Sequence, residues 1–432
     1  MSTLTRDALI RSYHSSGRPR DGWLVGAEFE RHLLRPDGTP LPYGGAPGVR
    51  WLMERMIPDG WEPYLEGGEA LIALFRAGAS VTLEPGGQFE LSGAPFRTVG
   101  EVEAEARAFG QEVDRHLAGT GVRQVGLGFT PYAAVPDIGW VPKGRYGVMR
   151  EYLASTGPLA HHMMKGTAAV QATYDYSDEV DCGRKVRLAT LLGPLTTATF
   201  ANSPYAEGRA TGFVSYRGHI WTQTDPARTG FPAAAEDFTF ERWVDWLLAV
   251  PMMFRKDVDG AWQPARGQTF AQWLASAEQP RPDDAAWELH LTSVFPEVRT
   301  KRAIEVRGAD CVPLPLAMGF VAMWKGLFYS DSALDRATEL GLAFASHGTQ
   351  RERFEIACRS GLEGIVGGRT LASWAATVVD LARDGLPEPE RSFLAPLAAQ
   401  IETGVSPGTT LLRTLGDTPN PARLVEASPM IR

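Results

Sequence analysis

Glu28 and Glu30 stand one residue apart in Gly26-Ala27-Glu28-Phe29-Glu30, where polar and apolar residues alternate. That period is a β-strand's, so both carboxylates project from one face while Ala27 and Phe29 take the other. Neighbouring carboxylates repel unless water, an arginine or a cation separates them. A second pair flanks Pro85-Gly86-Gly87. Residues 80–84 and 88–92 read as the arms of a tight hairpin, with Glu84 on one arm and Glu90, beside Gln88, on the other. In Ile304-Glu305-Val306-Arg307 an acid and an arginine share a third strand face. Taken singly, each is an ordinary polar outer face, and the Glu305–Arg307 pair is worth little as a surface ion pair. If the three strands share one sheet, Glu28, Glu30, Glu84, Glu90 and Glu305 line one concave surface. Oxygen-only ligands of that kind suit Mg²⁺ or Mn²⁺ rather than zinc, with magnesium usually also held by substrate phosphates. Arg307 beside them would neutralise charge on a transferred phosphoryl group. The pattern implies nucleotide chemistry without a P-loop, since no GxxxxGK[ST] run is present.

A second polar region follows. It comprises Ala201-Asn202-Ser203-Pro204, then residues 215–225 with Arg217, His219 and Trp221, then Arg228-Thr229-Gly230. Arginines, hydroxyls and an aromatic in a loop are what an amino-acid or phosphate pocket requires. Serine-hydrolase, HExxH and Cys–His signatures are absent, and Gly126-Leu127-Gly128 reads as a turn. His161-His162 and Met163-Met164 read as packing or loop residues, and Glu288, His290 and Trp287 as a surface helix.

These residues need a sheet to hold them. Strands are predicted over 23–34, 122–129, 168–176 and 302–307, besides the hairpin. Helices are predicted over 99–117, 145–153, 240–250 and from an N-cap at Ser177 to 192. From 314 to about 402 the pattern is helical, and 406–432 reads as an irregular tail. Strands before helices argue for an α+β fold with a largely antiparallel sheet. No long polar linker divides the 432 residues, so one catalytic domain is expected, with the active-site sheet over about 20–330 and a helical part over 331–405.

Composition removes other classes. The net charge is −8 without basic blocks, against a nucleic-acid binder. No apolar run is long enough to span a membrane. The three cysteines are scattered and the N-terminal residues lack a signal-peptide core, so a cytoplasmic protein is expected.

The same segments resemble the plant and proteobacterial type of glutamate–cysteine ligase. The hairpin LEPGGQFELSG (83–93) matches that family's signature. ANSP (201–204), HIW (219–221) with Thr222, Thr224 and Asp225, RTG (228–230), FPEVR (295–299) and Glu305 with RGAD (307–310) follow in the family's order. The resemblance implies the glutamine-synthetase-like catalytic fold, an antiparallel sheet curved into a funnel and flanked by helices. It implies ATP-dependent joining of the glutamate γ-carboxylate to the cysteine amine. It also implies that Glu28, Glu30, Glu84, Glu90 and Glu305 hold magnesium and ATP phosphates, and that Arg307, with Glu305, is catalytic. Arg217, Trp221 and Gln88 fall in the implied substrate pocket. Two departures touch it. Lys165-Gly166 stands where the plant enzymes have Phe-Arg, and Thr173 stands where they have Asn. Both positions are expected to contact substrate. They leave open a different amine acceptor, and a non-catalytic nucleotide-binding relative is the further alternative. Small molecules are the expected partners, and the chain is expected to be a monomer or homodimer.

Overall fold

Alternating side chains build the central strand. β1, Val25–Leu34, buries Val25, Ala27, Phe29 and Leu33 on one face and turns Gly26, Glu28 and Glu30 to the other. The structure, a computed structural model, describes residues 4–431. Eight more strands follow: β2 Glu62–Glu66, β3 Ala70–Arg76, β4 Ala79–Leu83, β5 Phe89–Ser92, β6 Arg123–Val125, β7 Ala169–Tyr174, β8 Val298–Thr300 and β9 Ile304–Asp310. They form one sheet in the order β8-β9-β7-β1-β5-β4-β3-β2, with β6 pairing the end of β1, and every pairing is antiparallel.

Register decides which side chains meet. Glu30 lies opposite Glu90, Glu28 opposite Gln171, and Thr173 opposite Gly26 and Glu305. Directly opposed residues share a face, so the acids converge. The pairing of β9 with β7 shifts between Val306 and Ala309. Such a bulge re-aims side chains, and here it falls at Arg307 and Gly308.

Helices cover the apolar face. α1, Val99–Leu117, opens with a capping box between Thr98 and Glu101, and its Phe109 stacks on Phe89 at 6.0 Å. α2 is Gly144–Leu153, α3 Glu179–Thr199, α4 Tyr216–Thr222, α5 Leu314–Phe328 and α6 Leu371–Gly385. The Tyr174 hydroxyl donates to the Val321 carbonyl of α5 (2.8 Å). One cluster of buried hydrophobic residues runs from Leu4 to Met430. Among the described residues no helix is long and apolar enough to cross a membrane.

Several expectations change. The strand predicted over 122–129 is only Arg123–Val125. α3 is capped by Asp178 rather than Ser177 and continues past 192 through Pro194 to Thr199. Its second half is buried all round, so it carries no amphipathic period to read. The stretch 406–432 is not irregular: helices occupy Pro407–Leu415 and Pro421–Ala427, each with proline in its first turn, a start signal rather than a break. The helix Asp284–Leu291 lies at the surface as expected, with Asp284 and Ala285 exposed, but Trp287 and His290 are on its buried face.

The hairpin turn is clamped. Gln88 Oε1 accepts the Gly86 N–H (3.0 Å), and its Nε2 donates to the carbonyls of Thr167 (2.8 Å) and Met164 (3.3 Å). A Cβ at Gly86 would meet the Lys165 carbonyl oxygen at 2.2 Å, whereas one at Gly139 would meet nothing within 4 Å. Gly86→Ala should therefore destabilise the protein by about 1–3 kcal/mol, as overpacking does, in urea unfolding, with Gly139→Ala near neutral. Equal stability of the two variants would refute the tight approach.

Candidate active site

The acid-bearing face encloses a cavity of about 220 Å³. Glu28 and Glu30 reach it from β1, Glu90 from β5, and Glu84 from the end of the hairpin. Gln171 of β7 and Arg307 of β9 close one side, and Arg217 and Trp221 of α4 another. A larger cleft of about 410 Å³ beyond the hairpin turn is lined by Tyr43, Tyr132 and Trp140, but it contains only one acid, Asp137, and one arginine, Arg35.

Electrostatics distinguishes the acids. Burial raises Glu28, and Glu90 and Glu305 add repulsion, pushing its carboxyl to about 8 against the pull of Arg299 and Arg307. Burial likewise lifts Glu30 far above the usual range, helped by Glu84 and Glu90. Burial and Glu84 raise Glu90, whose Oε1 accepts the Ser92 hydroxyl (2.5 Å). Glu30 accepts the Ala169 N–H (2.7 Å) and the Gln171 amide (2.9 Å). Among the described residues, none donates a hydrogen bond to the carboxylates of Glu28 and Glu84. The acids offer oxygen ligands only and are crowded together, with arginines and lysines around them, which fits one or more Mg²⁺ or Mn²⁺ ions.

Glu305 does not share that state. Its Oε2 accepts Arg299 Nε (2.7 Å), and its Oε1 accepts Arg299 Nη2 (3.0 Å) and Arg307 Nη1 (2.5 Å). Burial opposes its charge, but Arg299, Arg307 and Lys301 overcome it and hold the carboxyl well below the usual range. The expectation that Glu305 is a metal ligand is corrected: it anchors two guanidinium groups. Arg307 also donates to Gln171 Oε1, so its guanidinium is fixed at the cavity wall.

Three other expected contacts move. Gln88 is the turn clamp and does not line the cavity. Lys165 sits with its Nζ 4.9 Å from the Trp140 ring centroid, and its own helix, Ala160–Gly166, presents Met163 and Met164 to the cavity instead. Thr173 lies on the acidic face, one pleat beyond Gln171 and outside the cavity wall. Arg217 and Trp221 line the cavity.

Sequence reasoning missed Lys143, Arg145, Arg299 and Lys301 as cavity residues. Burial, and Arg145 next, lower Lys143 to about 8; burial, and Arg299 next, do the same to Lys301. The signals were present as Pro142-Lys143-Gly144-Arg145 and as Arg299-Thr300-Lys301, a strand-period pair.

The chain has an antiparallel sheet with acids and arginines on one face and helices on the other. In fold the chain is similar to a glutamate–cysteine ligase from Francisella tularensis solved in complex with AMP: TM-score 0.57 at 11% identity, covering 94% of this chain and 87% of that one. It is similar also to a bifunctional glutathione synthetase from Pasteurella multocida, with TM-score 0.52 at 14% identity, covering 94% of this chain and 52% of that one. Residues 24–427 match the family described as glutamate-cysteine ligase family 2 (GCS2), and the chain belongs to it. Chloroplastic glutamate–cysteine ligases are similar over 95% of this chain. The Brassica juncea protein is 38% identical over 426 residues, 80% of its length, and ligase B of Oryza sativa subsp. japonica is 35% identical over 84% of its length.

The raised acids give a pH signature. A carboxyl whose folded pKa is raised binds its proton more tightly when folded, so its stabilising effect is full at acid pH and is lost as pH rises through the folded value. For Glu28 that window runs from about 4.5 to about 8. The metal-free protein should lose thermal stability from pH 5 to pH 8.5, less steeply in Glu28→Gln. Added Mg²⁺ should raise the melting temperature more at pH 8.5 than at pH 5.5, because it competes with bound protons. An unchanged slope in Glu28→Gln would contradict the repulsion.

Proposed function

We propose that the acidic cavity is where this chain, as one catalytic unit, carries out glutamate–cysteine ligation. The reaction joins the glutamate γ-carboxylate to the cysteine amine at the expense of ATP and yields γ-glutamylcysteine, the first step of glutathione biosynthesis. The observation that carries the site assignment is the meeting of four unpaired or half-paired acids with a fixed arginine, Arg307, across one sheet face.

The residues divide the work. Glu28, Glu30, Glu84 and Glu90 would hold Mg²⁺, which draws charge from the ATP phosphates when bound. Arg307, locked by Glu305 and Gln171, faces the region where charge develops on the transferred phosphoryl group. Lys143, Arg145 and Lys301 add positive charge around it. A glutamate γ-carboxylate oxygen attacks the terminal phosphorus as the bond to the ADP oxygen breaks, giving a γ-glutamyl phosphate. The cysteine amine then attacks the acyl carbon, and phosphate leaves. Most of the acceleration in such transfers comes from positioning and electrostatics. Arg217 offers the amino-acid substrate a guanidinium, and Met149, Met163, Met164, Trp221 and Phe295 give the cavity an apolar side suited to a thiol side chain. The departure at Lys165 does not alter that lining, which favours cysteine over another acceptor. We place the protein in the cytoplasm, since Cys182, Cys311 and Cys358 are all free and buried.

The test is ADP release and γ-glutamylcysteine formation with ATP, Mg²⁺, glutamate and cysteine. Turnover should depend strictly on cysteine among amines. Arg307→Ala should lower kcat about 10²–10³-fold, the scale for losing one preorganised donor, and Arg307→Lys should not restore it, because the guanidinium is held at Nη1 by Glu305 and Gln171 with its other nitrogens left for the phosphoryl group, and a point charge has no such planar array. Turnover with another amine alone would reassign the acceptor, and full activity of Arg307→Ala would reject the assignment of Arg307.

A further inference from the structure

Asp310 ends β9, is buried, and lies behind the cavity rather than in it. Its Oδ2 accepts the Asn202 N–H (2.8 Å) and the Ser203 hydroxyl (2.6 Å). Its Oδ1 accepts the Ser215 hydroxyl (2.9 Å) and lies 3.8 Å from Arg217 Nη1. Each serine passes the contact on. Ser203 Oγ accepts the N–H of Arg217 (3.0 Å), and Ser215 Oγ, the cap of α4, accepts the N–H of Gly218 (3.0 Å). Arg217 in turn donates through Nη2 to the Arg307 carbonyl (2.9 Å).

Space is reserved for this arrangement. A Cβ at Gly128 would fall 2.6 Å from Asp310 Cγ, and one at Gly218 would fall 2.6 Å from the Cys358 sulfur. A helix of seven residues has little stability of its own, so α4 depends on outside contacts for its place. Both first-turn N–H groups named above lead through a serine to the same carboxylate.

We propose that Asp310 is the positioning residue of the amino-acid side of the cavity: through Ser203 and Ser215 it fixes α4, and through its charge it orients Arg217 toward the substrate carboxylate. The inference rests on the reading of the cavity as the ligase site. Asp310 touches no substrate, and its effect reaches the reaction through Arg217. The glutamate site should therefore feel its loss while the nucleotide site does not.

Asp310→Asn keeps the shape and removes the charge. It should raise the KM for glutamate about 10-fold or more, with KM for ATP within 2-fold and kcat within 3-fold of the parent. In an Arg217→Met background the same change should add less than 2-fold. Hydrogen exchange over residues 215–223 should speed up at least 10-fold, with residues 80–92 unchanged. A Ser203→Ala/Ser215→Ala variant, which cuts the relays and keeps the carboxylate, should reproduce the faster exchange even if Asp310→Asn folds poorly. The proposal is overturned if KM for glutamate is unmoved, if the Asp310→Asn effect persists without Arg217, or if exchange over 215–223 does not change. Absence of glutamate-dependent turnover in the parent protein would defeat the ligase reading, and the exchange result would still decide whether Asp310 holds α4.

Discussion

Four carboxylates share one cavity wall, and their mutual repulsion sets what the rest of the molecule must supply. Strand register leaves them no escape: Glu30 faces Glu90 directly across two paired strands, and Glu28 stands one pleat away. Phe29, Phe89 and Leu91 on the opposite face are buried under helices, so the sheet cannot turn over to expose the acids. Partial protonation, surrounding arginines and lysines, or bound cations must relieve the repulsion. A ligase that binds a polyphosphate with divalent metal gains from that tension, because its ligands and substrates are what relax it.

Glu305 shows the complementary solution. Breaking a buried ion pair by removing one partner leaves a charge stranded at a cost of about 3–5 kcal/mol, and Glu305 serves two arginines at once. Its value lies in direction. Arg299 and Arg307 are held in fixed positions at the cavity wall, so a charge bound there would meet groups already oriented. The β-bulge between Val306 and Ala309 lies beside this pair, with Arg307 bonded to both Glu305 and Gln171.

The hairpin turn links the acids to the substrate side. Gln88 joins the turn to the carbonyls of Met164 and Thr167, and Gly86 lies against the backbone of Lys165. The helix that carries Met163 and Met164 is thereby set by the same turn that carries Glu84. Lys165 and Gly166, where the chain departs from the plant enzymes, belong to packing behind this wall: Lys165 rests on Trp140, and a Cβ at Gly166 would meet the Phe129 ring at 2.4 Å.

The sequence alone determined the strand faces, the hairpin and the family, because two-residue alternation and a Pro-Gly-Gly turn are local and the motifs are long. Of the residues it singled out, Glu28, Glu30, Glu84, Glu90, Arg217, Trp221 and Arg307 line one cavity. It could not determine where long polar side chains end. Gln88, Lys165 and Glu305 have the residue types of a binding site, yet a backbone clamp, an aromatic ring and two arginines claim them, each contributed by a contact outside local spacing or by a choice among neighbours. Lys143, Arg145 and Lys301 stand in the sequence as closely spaced cations, but nothing local shows that they turn into the cavity. The end of α3 at Thr199 was hidden because all-round burial erases the periodic signal, and the helices beyond 406 because prolines in their first turns read as breaks. Alternation fixes which face a side chain leaves from; only tertiary packing decides which partner it reaches, since that depends on how segments separated in the chain are brought together and on which of several neighbours a side chain meets.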